Sequence, residues 1–190
     1  MNPFSSRSLV CPKSDNGLML VVISGLPGTG KTAVAAEVAR RAKAVHLSID
    51  TVEDALLGAG LPRSWTTGVA AYEAVRAATE QNLALGRIVV VDAVNDSEPA
   101  RDTWRRASAT ARVPLKFVLL ALDDQVEHRR RLEGRRRNLQ NVLEPSWDDV
   151  SGRRESFEPW GDVHLRVDAR ESTQHVASVI LWQLIPPTAN

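Results

Sequence analysis

The sequence predicts an α/β fold in which a parallel sheet carries helices on both faces. Three observations point to it. Apolar runs of strand length recur at 18–23, 44–49, 88–91, 115–122 and 163–167, separated by segments with helical spacing. Strands that alternate with helices in this way require parallel pairing through right-handed crossovers. The first run leads into the glycine-rich stretch Gly25-Leu26-Pro27-Gly28-Thr29-Gly30-Lys31-Thr32, which opens a helix. Finally, Ile88 to Val91 is an unbroken β-branched run ending at Asp92, the pattern of a strand covered from both sides.

Each element has its own signal. Val34, Ala35, Val38, Ala39 and Ala42 set the apolar stripe of the first helix. Ala44 to Ile49 is a short second strand ending at Asp50, and Glu53 to Leu57 is a brief helix broken by Gly58-Ala59-Gly60-Leu61-Pro62-Arg63. Trp65 falls in the loop that follows. A long helix then runs from Val69 to Leu85, with Gly86 as its C-cap. Pro99 occupies the first turn of the next helix, whose Ala100, Trp104, Ala107 and Ala111 share one side. Beyond the fourth strand, Asp123 and Asp124 cap a helix that carries Val126 and Leu132. Arg129, Arg130, Arg131, Arg135, Arg136 and Arg137 crowd the segment around Gly134, and Ser146 with Asp149 forms an acidic capping box. Val163, Leu165 and Val167 alternate with polar neighbours, so the fifth strand belongs at a sheet edge. Ser172 to Ile185 is the closing helix, stopped by Pro186-Pro187.

The chain of 190 residues supports one sizeable core rather than two. Residues 18–190 are expected to form a single domain, preceded by a flexible tail at 1–17 that has no signal-peptide core. A net charge of +1 gives no global field for nucleic acid or an anionic membrane. No run approaches the ~20 apolar residues of a membrane span. Cys11 is the single cysteine, which excludes an intrachain disulfide and suits a reducing, cytoplasmic setting. His46, His128, His164 and His175 lack metal-ligand spacing, and no chemistry is expected of them.

Residues 25–32 fit the phosphate-binding pattern G-x-x-x-x-G-K-S/T. Gly25, Gly28 and Gly30 let the loop turn, so that its backbone N–H groups surround phosphate oxygens, and Pro27, Thr29 and Ala33 are also expected to line the nucleotide site. The new helix aims its positive end at the same anion. Lys31 is expected on the β/γ-phosphates of ATP and the Thr32 hydroxyl on Mg²⁺. Ligands of parallel sheets collect at the carboxyl ends of the strands. Asp50 and Asp92 lie there too, so both are expected beside the loop. Asp92 is the expected second anchor for Mg²⁺, with a turn-forming role over 92–96 as the alternative. Asp50 is expected to orient an acceptor hydroxyl and take its proton, and it can also cap the helix after Thr51. The arginine-rich segment, around 129–142, is expected to act as a lid that brings one or two guanidinium groups over the transferring phosphate, Arg135 and Arg129 ahead of the others, while most of the six arginines form a solvated basic helix face. Glu53, Trp65 and Asn95, with Asp50 and Asp92, complete the expected acceptor side, with plain packing the alternative for Trp65.

Several of these stretches together resemble the small P-loop kinases of the zeta-toxin-like, or AAA-33, group. They are Gly25 to Thr32, Ser48-Ile49-Asp50, Val89 to Asn95 with the helix of Arg101 and Trp104, the arginine segment, and Glu158-Pro159-Trp160. The group includes phage-type polynucleotide 5′-hydroxyl kinases and chloramphenicol phosphotransferase, and the resemblance spans roughly 18–185. It implies a P-loop NTPase fold of the nucleoside-monophosphate-kinase type, three layers α/β/α around a five-stranded parallel sheet ordered 2-3-1-4-5. It also implies Asp50 as the acceptor-activating aspartate, Asp92 as the strand-three aspartate and Arg135 as the lid arginine. In one place the chain departs from the pattern. Polynucleotide kinases of this type carry an arginine three residues after the strand-two aspartate, where this chain has Glu53. A carboxylate there repels an anionic acceptor. The expected activity is ATP- and Mg²⁺-dependent transfer of phosphate to a hydroxyl of a neutral or cationic small molecule, antibiotic- or nucleoside-like. A nucleotide-binding switch with slow hydrolysis and a nucleic-acid 5′-hydroxyl kinase are the alternatives.

Overall fold

Five strands, β1 (Leu20–Ser24), β2 (Val45–Ser48), β3 (Val89–Ala93), β4 (Leu115–Ala121) and β5 (His164–Asp168), pair in parallel in the order β2-β3-β1-β4-β5. The sheet order is the expected one, with β5 at an edge. The computed structural model describes residues 17–136 and 139–184. The N-terminal tail apart from Gly17, together with Cys11, Arg137 and Ile185-Pro186-Pro187, lies outside the described residues.

Seven helices are described: α1 (Lys31–Ala42), α2 (Ile49–Gly58), α3 (Trp65–Ala84), α4 (Glu98–Ala111), α5 (Gln125–Gly134), α6 (Trp147–Glu155) and α7 (Thr173–Leu184). They cover the sheet because its strands are apolar on both faces. Val21 and Ile23 of β1 point to one side and pack with Val34 and Val38 of α1 and Val176 and Ile180 of α7. Leu20 and Val22 point to the other, against Val75 of α3 and Trp104 of α4. Each such aliphatic side chain contributes about 1.5–3 kcal/mol when fully buried. The sheet is therefore the rigid frame on which the loops at its carboxyl edge are mounted. No helix among the described residues is long and apolar enough to cross a membrane.

Local chemistry fixes the helix ends. Asp124 accepts the N–H groups of Val126 and Glu127 at 3.0 Å each, and Ser146 with Asp149 closes the capping box in front of α6. Two boundaries differ from expectation. Strand β2 stops at Ser48, whose extended backbone caps α2 directly, so Asp50 sits in the first helical turn rather than at a strand end. Helix α3 begins at Trp65, four residues early, because Ser64 Oγ accepts the Thr67 N–H at 3.2 Å and Thr67 Oγ1 donates to the Pro62 carbonyl at 2.6 Å. Trp65 thus stands on the first turn of a helix, not in a loop.

Candidate active site

The glycine-rich loop turns sharply between β1 and α1. Gly25 cannot carry a side chain, since a Cβ there would lie 2.8 Å from both the Leu120 carbonyl and Thr29 Oγ1. Gly28, at φ +92°, is pressed against His128, whose Cδ2 would meet a Cβ at 3.0 Å. Within the loop, Thr29 Oγ1 donates to the Leu26 carbonyl at 2.8 Å and the Thr29 N–H points to the same oxygen at 3.2 Å. Thr29 and Pro27 are buried and shape the turn from behind, whereas Gly28, Gly30, Lys31, Thr32 and Ala33 line the cleft in front. That cleft holds about 710 Å³ and is closed on its far side by Arg131, Arg135, Arg136 and Leu139.

Sheet register brings the first carboxylate to this loop. Asp92 of β3 lies opposite Ile23 of β1 and Ser48 of β2. Its carboxylate is fully buried. Oδ1 accepts the Thr32 hydroxyl at 2.8 Å and the Ser48 hydroxyl at 3.3 Å, while His46 Nε2 donates to Oδ2 at 2.7 Å. A buried charge is tolerable only when it is hydrogen-bonded on this scale. One carboxylate beside one hydroxyl at the rim of a phosphate cradle is also the oxygen donor set that Mg²⁺ takes when phosphates and water complete its shell. His46 thereby takes a part that its lack of metal-ligand spacing does not predict. A signal was present, since His46 and Ser48 are two apart on β2 and so share the face that meets Asp92.

Asp50, two residues past Ser48, borders three spaces at once. It lines the phosphate cleft, a neighbouring cleft of about 330 Å³ and a third of about 560 Å³. Glu53, one turn on, lines the second and third. Trp65 forms the lip of the third cleft and is 84% exposed, and Tyr72, Asp96, Arg106 and Arg153 stand around it. The sequence-predicted residues Lys31, Thr32, Asp50, Glu53, Trp65 and Asp92 are thus gathered at one end of the sheet.

Asn95 is a correction. Its side chain is buried, with Nδ2 donating to Ser24 Oγ at 2.7 Å and Oδ1 accepting the Trp104 indole N–H at 2.8 Å. Its backbone, at φ +56°, is held through the carbonyl by Arg101 at 3.3 Å. Both ends of the carboxamide are committed to the turn after β3, so it supports the site and faces none of the clefts. The buried Arg101 also donates to the Glu158 and Pro159 carbonyls and lies 4.9 Å from the Trp160 ring, tying the 158–160 segment to that turn.

The arginine segment divides by helical phase. His128 and Leu132 are the buried face of α5, and Arg131 and Arg135 follow on that side. Arg129 is the second correction. It pairs with Glu133 at 2.8 Å on the outer face and borders none of the clefts described. Arg135 lines both the phosphate cleft and its smaller neighbour and pairs with Glu144. Arg131 donates to Glu127 and to the Ala169 and Arg170 carbonyls, fastening α5 to the turn after β5.

His128 joins these parts. Its Nε2 donates to the Pro27 carbonyl at 2.7 Å, and its Nδ1 accepts from Arg154 Nη2 of α6 at 2.7 Å. A carbonyl can only accept and a guanidinium can only donate, so the imidazole is the neutral Nε2–H tautomer. Burial lowers its pKa, the Pro27 bond opposes this, and the charges of Arg154, Arg131 and Arg135 lower it further. Its ring also meets Trp147 of α6 edge to face, with centroids 5.5 Å apart.

Comparison with known proteins bears on this arrangement. The AAA domain model, AAA-33, matches residues 20–157. No curated protein matches the sequence at a significant level. Among solved structures, an unliganded sugar kinase from Janibacter sp. HTCC2649 superposes with a TM-score of 0.66 at 17% identity, over 91% of this chain and 99% of its own. A gluconokinase from Sinorhizobium meliloti 1021 gives 0.64 at 19% identity, over 89% and 93%. The APS kinase of Mycobacterium tuberculosis, in complex with AMPPNP and APS, gives 0.63 at 20% identity, over 86% and 95%. At these identities the likeness speaks to the fold.

Proposed function

The chain belongs to the AAA-33 domain family, and from that premise we propose that it is an ATP- and Mg²⁺-dependent phosphotransferase acting on a hydroxyl of a neutral or cationic small molecule. One observation carries the reading: Asp50 borders the phosphate cleft and both clefts beyond it. A carboxylate at that junction reaches an acceptor on one side and the transferring phosphoryl group on the other. The similarity in fold to a sugar kinase, a gluconokinase and an APS kinase supports phosphoryl transfer to a small molecule.

In this reading the phosphate chain lies along the loop, with Lys31 balancing its negative charge at the buried end of the cleft. Asp50 orients the acceptor hydroxyl and takes its proton as the new oxygen–phosphorus bond forms and the bond to the departing ADP breaks. Arg135 and Lys31 offset the charge that spreads over the phosphoryl oxygens. Thr32 and Asp92 would hold Mg²⁺, which when bound neutralises charge on the phosphate oxygens. The third cleft carries the carboxylates of Asp50, Glu53, Glu73 and Asp96 against the guanidinium groups of Arg106 and Arg153, an acidic excess that weighs against an anionic acceptor such as a nucleic-acid 5′ end.

The test is transfer from γ-labelled ATP to a panel of hydroxyl-bearing small molecules, with wild type and Asp50→Asn. Wild type should label an organic acceptor, and Asp50→Asn should lose transfer while keeping ATP affinity. Label released only as inorganic phosphate would point instead to a nucleotide switch. Normal transfer by Asp50→Asn would remove Asp50 from the chemistry.

A further inference from the structure

We propose that Asp54 is a positioning residue for phosphoryl transfer, holding the segment 139–145 between the two clefts and, through Glu144, setting Arg135. The proposal rests on Arg135 acting at the transferring phosphate, as read above.

Asp54 lies one helical turn past Asp50 on α2. Its Oδ1 accepts two consecutive backbone N–H groups, from Asn141 at 2.6 Å and Val142 at 2.9 Å. Asn141 Nδ2 donates back to the Asp54 carbonyl at 3.2 Å, with Asp54 Oδ2 a further 3.5 Å contact. Arg63, beyond the end of α2, donates to the Asn141 carbonyl at 2.5 Å. Gly58 permits the approach, because a Cβ there would lie 2.9 Å from Asn141 Nδ2. These N–H bonds, Asn141 first and Val142 second, pull the Asp54 carboxyl below its ordinary range. One carboxylate thus organises a segment 87 residues away in sequence.

What that segment carries gives the contact its meaning. Leu139 borders the phosphate cleft, and Val142, Leu143, Glu144 and Pro145 border the smaller acceptor-side cleft. Glu144 pairs with Arg135, which lines both. The route from Asp54 to the phosphate therefore runs through two backbone amides, one carboxylate and one guanidinium. A displacement of about 1 Å in a group that contacts the transition state costs on the order of 100-fold in rate.

The experiment is a double-mutant cycle on the full chain, reading Mg·ATP turnover with water as nucleophile, so that it needs no identified acceptor. Amide exchange at Asn141 and Val142 is followed in parallel. Asp54→Ala should lower kcat by about 10–100-fold with little change in KM for ATP, and should speed exchange at both amides. Asp54→Asn keeps an oxygen at the Oδ1 position and should stay within about 3-fold of wild type. Added to Arg135→Ala, Asp54→Ala should cost almost nothing more, since the two act along one path. If the two losses multiply instead, Asp54 is a structural fastening alone and the inference is overturned while the role of Arg135 stands. If Arg135→Ala leaves turnover unchanged, both readings fall. Should Asp54→Ala not fold, Asp54→Ser, too short to reach both amides, takes its place under the same criteria.

Discussion

Replacing His128 by alanine should destabilise the protein by about 3–5 kcal/mol, a magnitude that follows from its surroundings. The buried Pro27 carbonyl would lose its donor, at about 1–3 kcal/mol. The edge-to-face contact with Trp147 would go, at about 0.5–1.5 kcal/mol, and a cavity would open behind Gly28. Arg154 is only half-buried and would recover a partner from water, so its loss is discounted. For a chain of this length the melting temperature should fall by roughly 10 °C. His128→Gln, whose amide can donate to Pro27 and accept from Arg154, should lose about 1–2 kcal/mol. The pair also separates packing from titration. Because the folded pKa of His128 lies below the unfolded value of about 6.5, the unfolded chain binds a proton that the folded chain refuses. Wild-type stability should therefore be whole above about pH 6.5 and decline as pH falls toward the lowered value. Carboxylates such as Glu127, held at about 2 by Arg130 and then Arg131, act in a more acid window and do not interfere. Denaturant titrations at about pH 7.5 and 5.5 provide the measurement. If His128→Gln shows the same pH dependence as wild type, or His128→Ala is stable to within about 1 kcal/mol, the neutral clamp described for His128 is wrong.

Other outcomes follow from the same geometry. Arg135→Ala should lower kcat by about 100–1,000-fold, whereas Arg129→Ala, on the outer face of α5, should leave turnover within about 2-fold, checked by steady-state kinetics. Asp92→Asn should raise the Mg²⁺ concentration needed for half-maximal activity by about 10–100-fold, measured by metal titration. Trp65→Ala should change folding stability by no more than about 0.5 kcal/mol, because the ring is exposed, while raising KM for the acceptor and sparing KM for ATP.

The strands, the phosphate loop and the capping residues were legible because their signals are local. Apolar periodicity, glycine at a forced turn, and Asp124 or Ser146 at a helix start each speak within a few residues. The carboxyl-edge rule was enough to gather Asp50 and Asp92 beside Lys31. Partners distant along the chain were harder. His46 meets Asp92 across 46 residues and His128 meets Pro27 across 101, and spacing tests for metal ligands do not detect hydrogen bonds to a carboxylate or carbonyl. Arg129 was misplaced because a run of arginines conceals helical phase; His128 and Leu132, four apart and both buried, reveal it. Asn95 lies close enough to the clefts to invite an acceptor role, but the indole of Trp104 and the hydroxyl of Ser24 occupy both its polar atoms.

Ser48 touches Asp92 and passes straight into α2, so only one residue separates it from Asp50. The spacing between the two aspartates is consequently inherited from strand pairing and does not depend on any loop. The two neighbouring clefts are walled otherwise, by Arg63 ahead of α3, by Trp65 on its first turn and by Val142 to Pro145. If the chain is the kinase proposed above, exchanging Trp65 and its neighbours at the start of α3 should retune which acceptor is recognised, whereas Arg63 and 142–145 have to be kept because they hold Asn141 and Arg135.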